Sequence, residues 1–273
     1  MPELPEVETV KETLKKKILG KKIIDVRILY PKIIEYPSVS VFKKEIINQE
    51  IIDIKRRGKW LMFELNDYYL LSHLRMEGKY NIKSYNDELD KHEHVCFKFS
   101  DKEELRYKDT RKFGRMHLIN KNDVYNVKPL NELGLEPWDK ELTSSYLKGK
   151  YEKINLPIKT TLLDQSIIVG IGNIYADEIL FLCNINPLKK TKELNKTELN
   201  NIIKFTKKVL ENAIKKGGTT IRTYESSEGV HGRFQQDLLV HNKESEDCSI
   251  CHSIIKKIVV NGRGTYYCPK CQK

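Results

Sequence analysis

The chain has 273 residues, enough for two ordinary domains with separate cores. Its apolar runs fall far short of the roughly 20 residues a membrane helix needs, and "VETVKETLKKKILGKK" is too charged for a signal peptide; a cytoplasmic protein is expected. The 49 Lys and Arg against 38 Asp and Glu leave a net charge of +11, which suits a polyanion such as nucleic acid. A composition rich in Lys, Ile and Asn gives the same excess without any binding role.

The opening, "MPELPEVETV", sets two prolines and three glutamates among its first eight residues. Val7, Val10, Leu14 and Ile18 recur at helical spacing, so a helix is predicted over residues 5–19 with Gly20 as its C-cap. Pro5 suits a first turn, where a missing N–H costs nothing, and Glu6 and Glu8 suit the positive end of the helix dipole. From Ile23 to about Ile119 the pattern changes to short strand-like runs: "KIIDVRIL", "IIDIKRRGKWLMFEL", "YYLLSHLRM", "HVCFKFS", "ELRYKDT" and "GRMHLI". Many short strands with turn signals between them predict a β-sandwich or flattened barrel. The strand pattern stops around "KPLNELGLEPWDKELT". Helical signals follow at "SSYLKGKY", "TTLLDQ", "NIYADEILFLC" and "KTELNNIIKFTKKVLENAIKKGG", the last with Ile202, Phe205, Val209 and Ala213 on one face. A polar stretch, "TYESSEGVHGRF", leads to the C-terminal cysteines. The reading is a β domain over 1–130, a helical domain over 131–234 and a small module over 235–273.

Cys96 and Cys183 stand alone in apolar segments and read as buried thiols. Cys248-x2-Cys251 and Cys268-x2-Cys271, sixteen residues apart, have the spacing of two knuckles that close a tetrahedral Zn²⁺ site. All four positions are then filled by protein, so one structural Zn²⁺ is expected. Two redox pairs or chance spacing are the alternatives, and an iron–sulfur cluster suits the ribbon-like segment between the knuckles less well. Within it, "KKIVV", a turn at "NGRG" and "TYY" read as a hairpin that presents Arg263 between two glycines. Such an arginine suits a phosphate, although most turn charges are merely solvated. Gly170 and Gly172 ahead of Asn173 leave helix N–H groups free for an anion, with Lys159 as a second contact. Without a third glycine or a βαβ setting the pattern is weak.

Together these pieces resemble the formamidopyrimidine-DNA glycosylase family, bacterial enzymes that remove oxidised purines. The resemblance spans the chain, with "PELPEVET", "KRRGKWL", "HLRMEG", "TRKFGRM", "GIGNIYADE", "GGTTIRTY" and "GRGTYYCPKCQ" in the family's order. It implies an α+β, multidomain fold: an N-terminal two-layer β-sandwich flanked by helices, a helix–two-turn–helix domain and a C-terminal β-hairpin zinc finger. It also implies removal of Met1, which exposes Pro2 as the amine nucleophile, with Glu3 as acid/base, Glu6 in the pocket, Lys59 as a second acid and Arg263 at the flanking phosphates. Met76, Arg111 and Phe113 match the side chains that fill the space of an extruded base. His73, His92, Lys159 and Asn173 match contacts to the DNA backbone, and "GGTTIRTYESSEG" matches a cover over that base. The implied partner is damaged double-stranded DNA, bound by a monomer with no membrane association. Within the superfamily, an endonuclease VIII-like enzyme for oxidised pyrimidines shares the Pro–Glu start; "PELPEVET" and the Met/Arg/Phe trio favour the purine enzyme. A non-catalytic zinc-ribbon DNA-binding protein is the rival from another class.

Overall fold

Leu4, Val7, Leu14 and Ile18 are fully buried along one face of α1 (Leu4–Ile18) in a computed structural model that describes residues 1–219 and 232–273. Glu3 caps this helix in extended backbone, Pro5 lies in its first turn, and Lys15, Lys16 and Lys17 occupy its last turn, where the dipole favours cations. Leu19 takes the C-cap, and Gly20, one residue beyond, holds the left-handed conformation (φ +76°) that turns the chain into the first strand.

The strands and helix that follow are β1 (Ile23–Ile28), β2 (Ile34–Tyr36), α2 (Val39–Ile46), β3 (Asp53–Arg57), β4 (Trp60–Glu64), β5 (Tyr68–His73), β6 (Lys79–Ser84), β7 (Glu93–Phe99), β8 (Glu103–Lys108) and β9 (Arg115–Asn120). They form a four-stranded sheet in the order β1-β7-β8-β6 and a five-stranded sheet in the order β2-β9-β5-β4-β3. Every pairing is antiparallel except β2 with β9. One apolar cluster takes Phe97, Leu105 and Tyr107 from the first sheet, Ile54, Phe63 and Leu70 from the second, and Leu14 and Phe42 from the helices. The predicted sandwich is therefore present, with β2, α2 and β6 as elements the periodicity did not announce.

The described residues divide into two compact units. The first is Met1–Asn131, to which Thr219 and Gly232 also belong. The second comprises Glu132–Gly218 and Arg233–Lys273, so the helical segment and the cysteine module are one body. Its elements are α3 (Ser144–Tyr151), α4 (Ile158–Leu162), α5 (Asn173–Leu182), α6 (Lys196–Lys215), β10 (Lys256–Val260) and β11 (Arg263–Tyr267). A reciprocal capping box of Asn195 and Glu198 starts α6, and Gly217 and Gly218 follow its end at positive φ. The helix buries Leu199, Ile202, Thr206, Val209, Leu210 and Ala213. Phe205, predicted for that face, is only half-buried, because Thr206 and Leu210 take the inward positions beside it. The "TTLLDQ" signal is an α4 that begins two residues early and stops at Leu162. The hairpin of β10 and β11 turns at Asn261 and Gly262, both with positive φ, so Arg263 is the first residue of β11 and not part of the turn.

Candidate active site and metal centre

In the first unit, Pro2 is buried and Glu3 is only 2% exposed, whereas Met1 is 47% exposed. Glu6 reaches back one turn, and its Oε2 accepts the N–H of Glu3 at 2.8 Å. Its Oε1 accepts the Thr219 N–H at 2.8 Å and the Thr219 hydroxyl at 3.0 Å. Both carboxylate oxygens thus fix backbone on either side of them. Of the expected cover, 217–229, residues 220–229 lie outside the described residues.

Lys59 occupies the two-residue turn between β3 and β4, after Gly58 at φ +57°. It is buried, not the solvated hairpin lysine that pattern alone suggests. Arg56 holds this turn: Nη1 donates to the Gly58 carbonyl at 2.9 Å and Nε to Glu8 Oε2 at 2.8 Å. Burial alone would raise the Glu8 carboxyl, but the bonds from Lys11 and Arg56 outweigh it and bring it below its ordinary value. Glu8 therefore links α1 to the lysine-bearing turn, a role its helical position did not reveal.

His73 ends β5 opposite Trp60, whose ring meets it edge-on at 4.8 Å. Its Nδ1 accepts the Arg75 N–H at 3.0 Å, which leaves the proton on Nε2. Burial, then the charges of Arg75 and Lys59, lower its pKa to about 3, so this ring is neutral at cellular pH. Met76 is half-buried in the loop just beyond. Arg111 is exposed and its guanidinium lies 4.8 Å from the Phe113 ring centroid; Phe113 is 46% exposed. His92 is half-buried, and its Nδ1 has no hydrogen-bond partner among the described residues.

In the second unit, Gly172 caps α5 and Asn173 is its first residue. The Asn173 Nδ2 donates to the carbonyl of Gly264, next to the exposed Arg263, at 2.9 Å. Lys159 corrects an expectation. It is fully buried, and its ammonium donates to the Asn173 carbonyl at 2.7 Å and to Asp177 Oδ1 at 2.6 Å. A side chain with no exposed surface makes no phosphate contact; Lys159 instead supports the residue that begins α5. Asp177 also bonds His241 Nδ1 at 2.7 Å. Glu178 accepts the N–H groups of Leu239, Val240 and His241 at 2.8, 3.0 and 2.9 Å. Burial raises its pKa although those three bonds work the other way.

The Sγ atoms of Cys248, Cys251, Cys268 and Cys271 lie within 4.8 Å of one another, with Cys248–Cys271 at 3.9 Å and Cys251–Cys268 at 3.4 Å. Tetrahedral zinc with Zn–S of about 2.3 Å puts sulfurs about 3.8 Å apart, so the donor set and spacing fit. The Cys271 N–H points at Cys268 Sγ at 3.5 Å, and Phe181, Val240 and Ile255 pack around the buried cysteines. The four form one structural zinc site. Cys96 and Cys183 are buried free thiols, as expected, and burial raises the pKa of Cys96 to about 11. No described helix is long and apolar enough to cross a membrane.

Family models match along the chain: "Formamidopyrimidine-DNA glycosylase N-terminal domain" at residues 1–116, "Formamidopyrimidine-DNA glycosylase H2TH domain" at 133–225 and "Zinc finger found in FPG and IleRS" at 245–273. A formamidopyrimidine-DNA glycosylase of Bacillus cereus is 48% identical over all of this chain and 99% of its own. One from Oceanobacillus iheyensis is 49% identical over all of this chain and 98% of its own. Among solved structures, Lactococcus lactis Fpg in complex with abasic-site DNA superposes with a TM-score of 0.93 at 41% identity, covering 99% of each chain. A variant of that enzyme with Fapy-dG containing DNA superposes at 0.94 over the whole of both chains. With matching models across its length, relatives near half identical and this shared architecture, the chain belongs to the formamidopyrimidine-DNA glycosylase family.

Proposed function

We propose that this DNA-repair glycosylase excises oxidised purines, 8-oxoguanine and formamidopyrimidines, from duplex DNA and then cleaves the strand by β,δ-elimination. The observation that carries the reading is the buried Pro2–Glu3 start, fixed to α1 by Glu6 and followed one turn later by Glu8, which holds the turn of Lys59 through Arg56.

With Met1 removed, Pro2 carries a secondary α-amine. A free α-amine titrates near pH 8 (~8), against about 10.4 for lysine, so a usable fraction is neutral and nucleophilic. The amine bonds to C1′ as the purine departs with the electron pair of the glycosidic bond and takes up a proton. The ammonium so formed gives up its one N–H proton to the Glu3 carboxylate, and Glu3 passes a proton to the ring oxygen. The C1′–O4′ bond breaks, and the nitrogen lone pair closes a C1′ iminium that stays cationic because a secondary amine has no second proton to lose. That cation draws electrons from C2′. Removal of a C2′ proton expels the 3′ phosphate, and a second elimination expels the 5′ phosphate. Lys59 serves as a second acid near C1′, and Arg263 meets the flanking phosphates. Met76, Arg111 and Phe113 fill the vacated stack as an apolar filler, a cation for the orphaned base and an aromatic wedge. His73, His92 and Asn173 contact the backbone, and the zinc keeps the hairpin of Arg263 folded.

Borohydride trapping on duplexes holding 8-oxoguanine or thymine glycol, followed by mass mapping of the crosslinked peptide, tests this. An adduct on Pro2 and faster excision of 8-oxoguanine are expected. Preferential excision of thymine glycol overturns the purine assignment, and absence of any adduct overturns the lyase chemistry.

A further inference from the structure

Tyr107 lies beneath two loops that are far apart in sequence. One, Leu74–Gly78, joins β5 to β6 and carries Met76; the other, Asp109–Gly114, joins β8 to β9 and carries Arg111 and Phe113. The ring is fully buried, pairs with Tyr80 across β6 and β8, and meets that ring edge-on at 5.2 Å. Neither Gly78 nor Gly114 has positive φ, so neither is needed for backbone freedom. Both are needed for room. A Cβ on Gly114 would lie 2.6 Å from Tyr107 Cζ and nearer still to its hydroxyl, and a Cβ on Gly78 would meet the same hydroxyl and lie 2.6 Å from the Leu74 carbonyl. Both loops therefore close directly onto one phenol oxygen.

Asp109 completes this floor. Its fully buried carboxylate accepts the Arg111 N–H at 3.0 Å through Oδ1, and the Gly114 N–H at 2.8 Å and the Tyr107 hydroxyl at 3.4 Å through Oδ2. Its own backbone is fastened as well: its N–H donates to the His92 carbonyl at 2.9 Å, and its carbonyl bonds His94 Nε2 at 2.8 Å. Above the floor, Arg111 already stacks on Phe113, although both are solvent-facing. An exposed aromatic–cation pair on a buried, hydrogen-bonded base is arranged before any ligand arrives, which lowers the ordering cost of inserting it.

We infer that Tyr107 and Asp109 are positioning residues that lock the Met76 loop to the Arg111–Phe113 loop, so that the three side chains enter the base stack as one pre-set wedge. This rests on the void-filling role assigned above.

The test uses full-length, zinc-loaded Tyr107→Phe and Asp109→Asn. The first removes only the hydroxyl, and the second sets an amide N–H against one of the donors. Excision of 8-oxoguanine paired with cytosine is expected to fall about 10-fold for Asp109→Asn and about 3-fold for Tyr107→Phe, as small misplacements of positioned groups do. The fluorescence change of 2-aminopurine placed opposite a tetrahydrofuran site, which reports insertion, is expected to shrink in parallel. Borohydride trapping on a single-stranded abasic oligonucleotide has no opposing base to displace and is expected to match wild type. Equal loss on both substrates, or none on the duplex, overturns the inference. If Asp109→Asn melts early, Tyr107→Phe decides alone. Failure of wild-type trapping would instead count against the proposed chemistry.

Discussion

Glu6 holds the Glu3 backbone with one carboxylate oxygen and Thr219 with the other, each at 2.8 Å. A single side chain in the first helical turn thereby joins the proposed nucleophile's neighbour to the residue that precedes 220–231. Because both oxygens accept from donors, the arrangement needs a carboxylate and not merely a group of that size.

Glu6→Gln is therefore expected to slow single-turnover excision by about 100-fold while the affinity for tetrahydrofuran duplex changes little. Gel-shift titration and quenched-flow excision together check this; equal losses in both would show that Glu6 serves folding alone.

Pro2→Gly keeps an α-amine but loses the preset ring and secondary nitrogen, and is expected to reduce excision at least about 100-fold. A tag that prevents removal of Met1 should do the same, because the nitrogen is then an amide. Wild-type rates from an uncleaved N-terminal fusion would remove Pro2 from the mechanism.

His73 makes stability depend on pH. Its ordinary pKa is 6.5 and its folded value is about 3, so between these the unfolded chain binds the extra proton. Its contribution is intact above pH 6.5 and is lost progressively as pH falls towards 3, by about 2 kcal/mol from pH 7 to pH 5. Urea titrations at both pH values measure this, and His73→Gln should flatten the difference.

Asp177→Asn leaves the buried Lys159 ammonium without its counter-charge, and breaking such a pair costs about 3–5 kcal/mol. Calorimetry should record a lower melting temperature. An unchanged one would mean that His241 or solvent compensates.

Removal of zinc with a strong chelator should abolish binding to damaged duplex and release one zinc per chain, since four thiolates share one site. Plasma emission on the intact protein and anisotropy after chelation give the two readings.

Much of this was legible from residue order. The stripe of α1 and the short, largely apolar runs of β4, β5 and β9 report burial that is local in sequence, and the paired knuckles report a metal through spacing alone. α2 escaped because "VSVFKKEI" is short and rich in β-branched residues, and β6 because "KYNIKS" offers only Tyr80 and Ile82 as inward residues. Lys159 was misplaced for a different reason. Its burial depends on Asp177 and on the Asn173 carbonyl, and no periodicity shows that three such groups converge. The same holds for Arg56 reaching Glu8, and for Asp109 and Tyr107, whose importance arises from strand register and loop closure.

The bonds from Glu178 to residues 239–241, and from Asp177 to His241, bear on how this protein can be recombined with its relatives. The cysteine module looks like a detachable cassette, yet its lead-in segment is written partly in the carboxylates of α5, and the Gln272 amide returns to the Ile185 carbonyl. A chimera cut at residue 235 would separate donors from their acceptors. The block that holds together is the second unit, Glu132–Gly218 with Arg233–Lys273, and drift in α5 and in the finger should be inherited together.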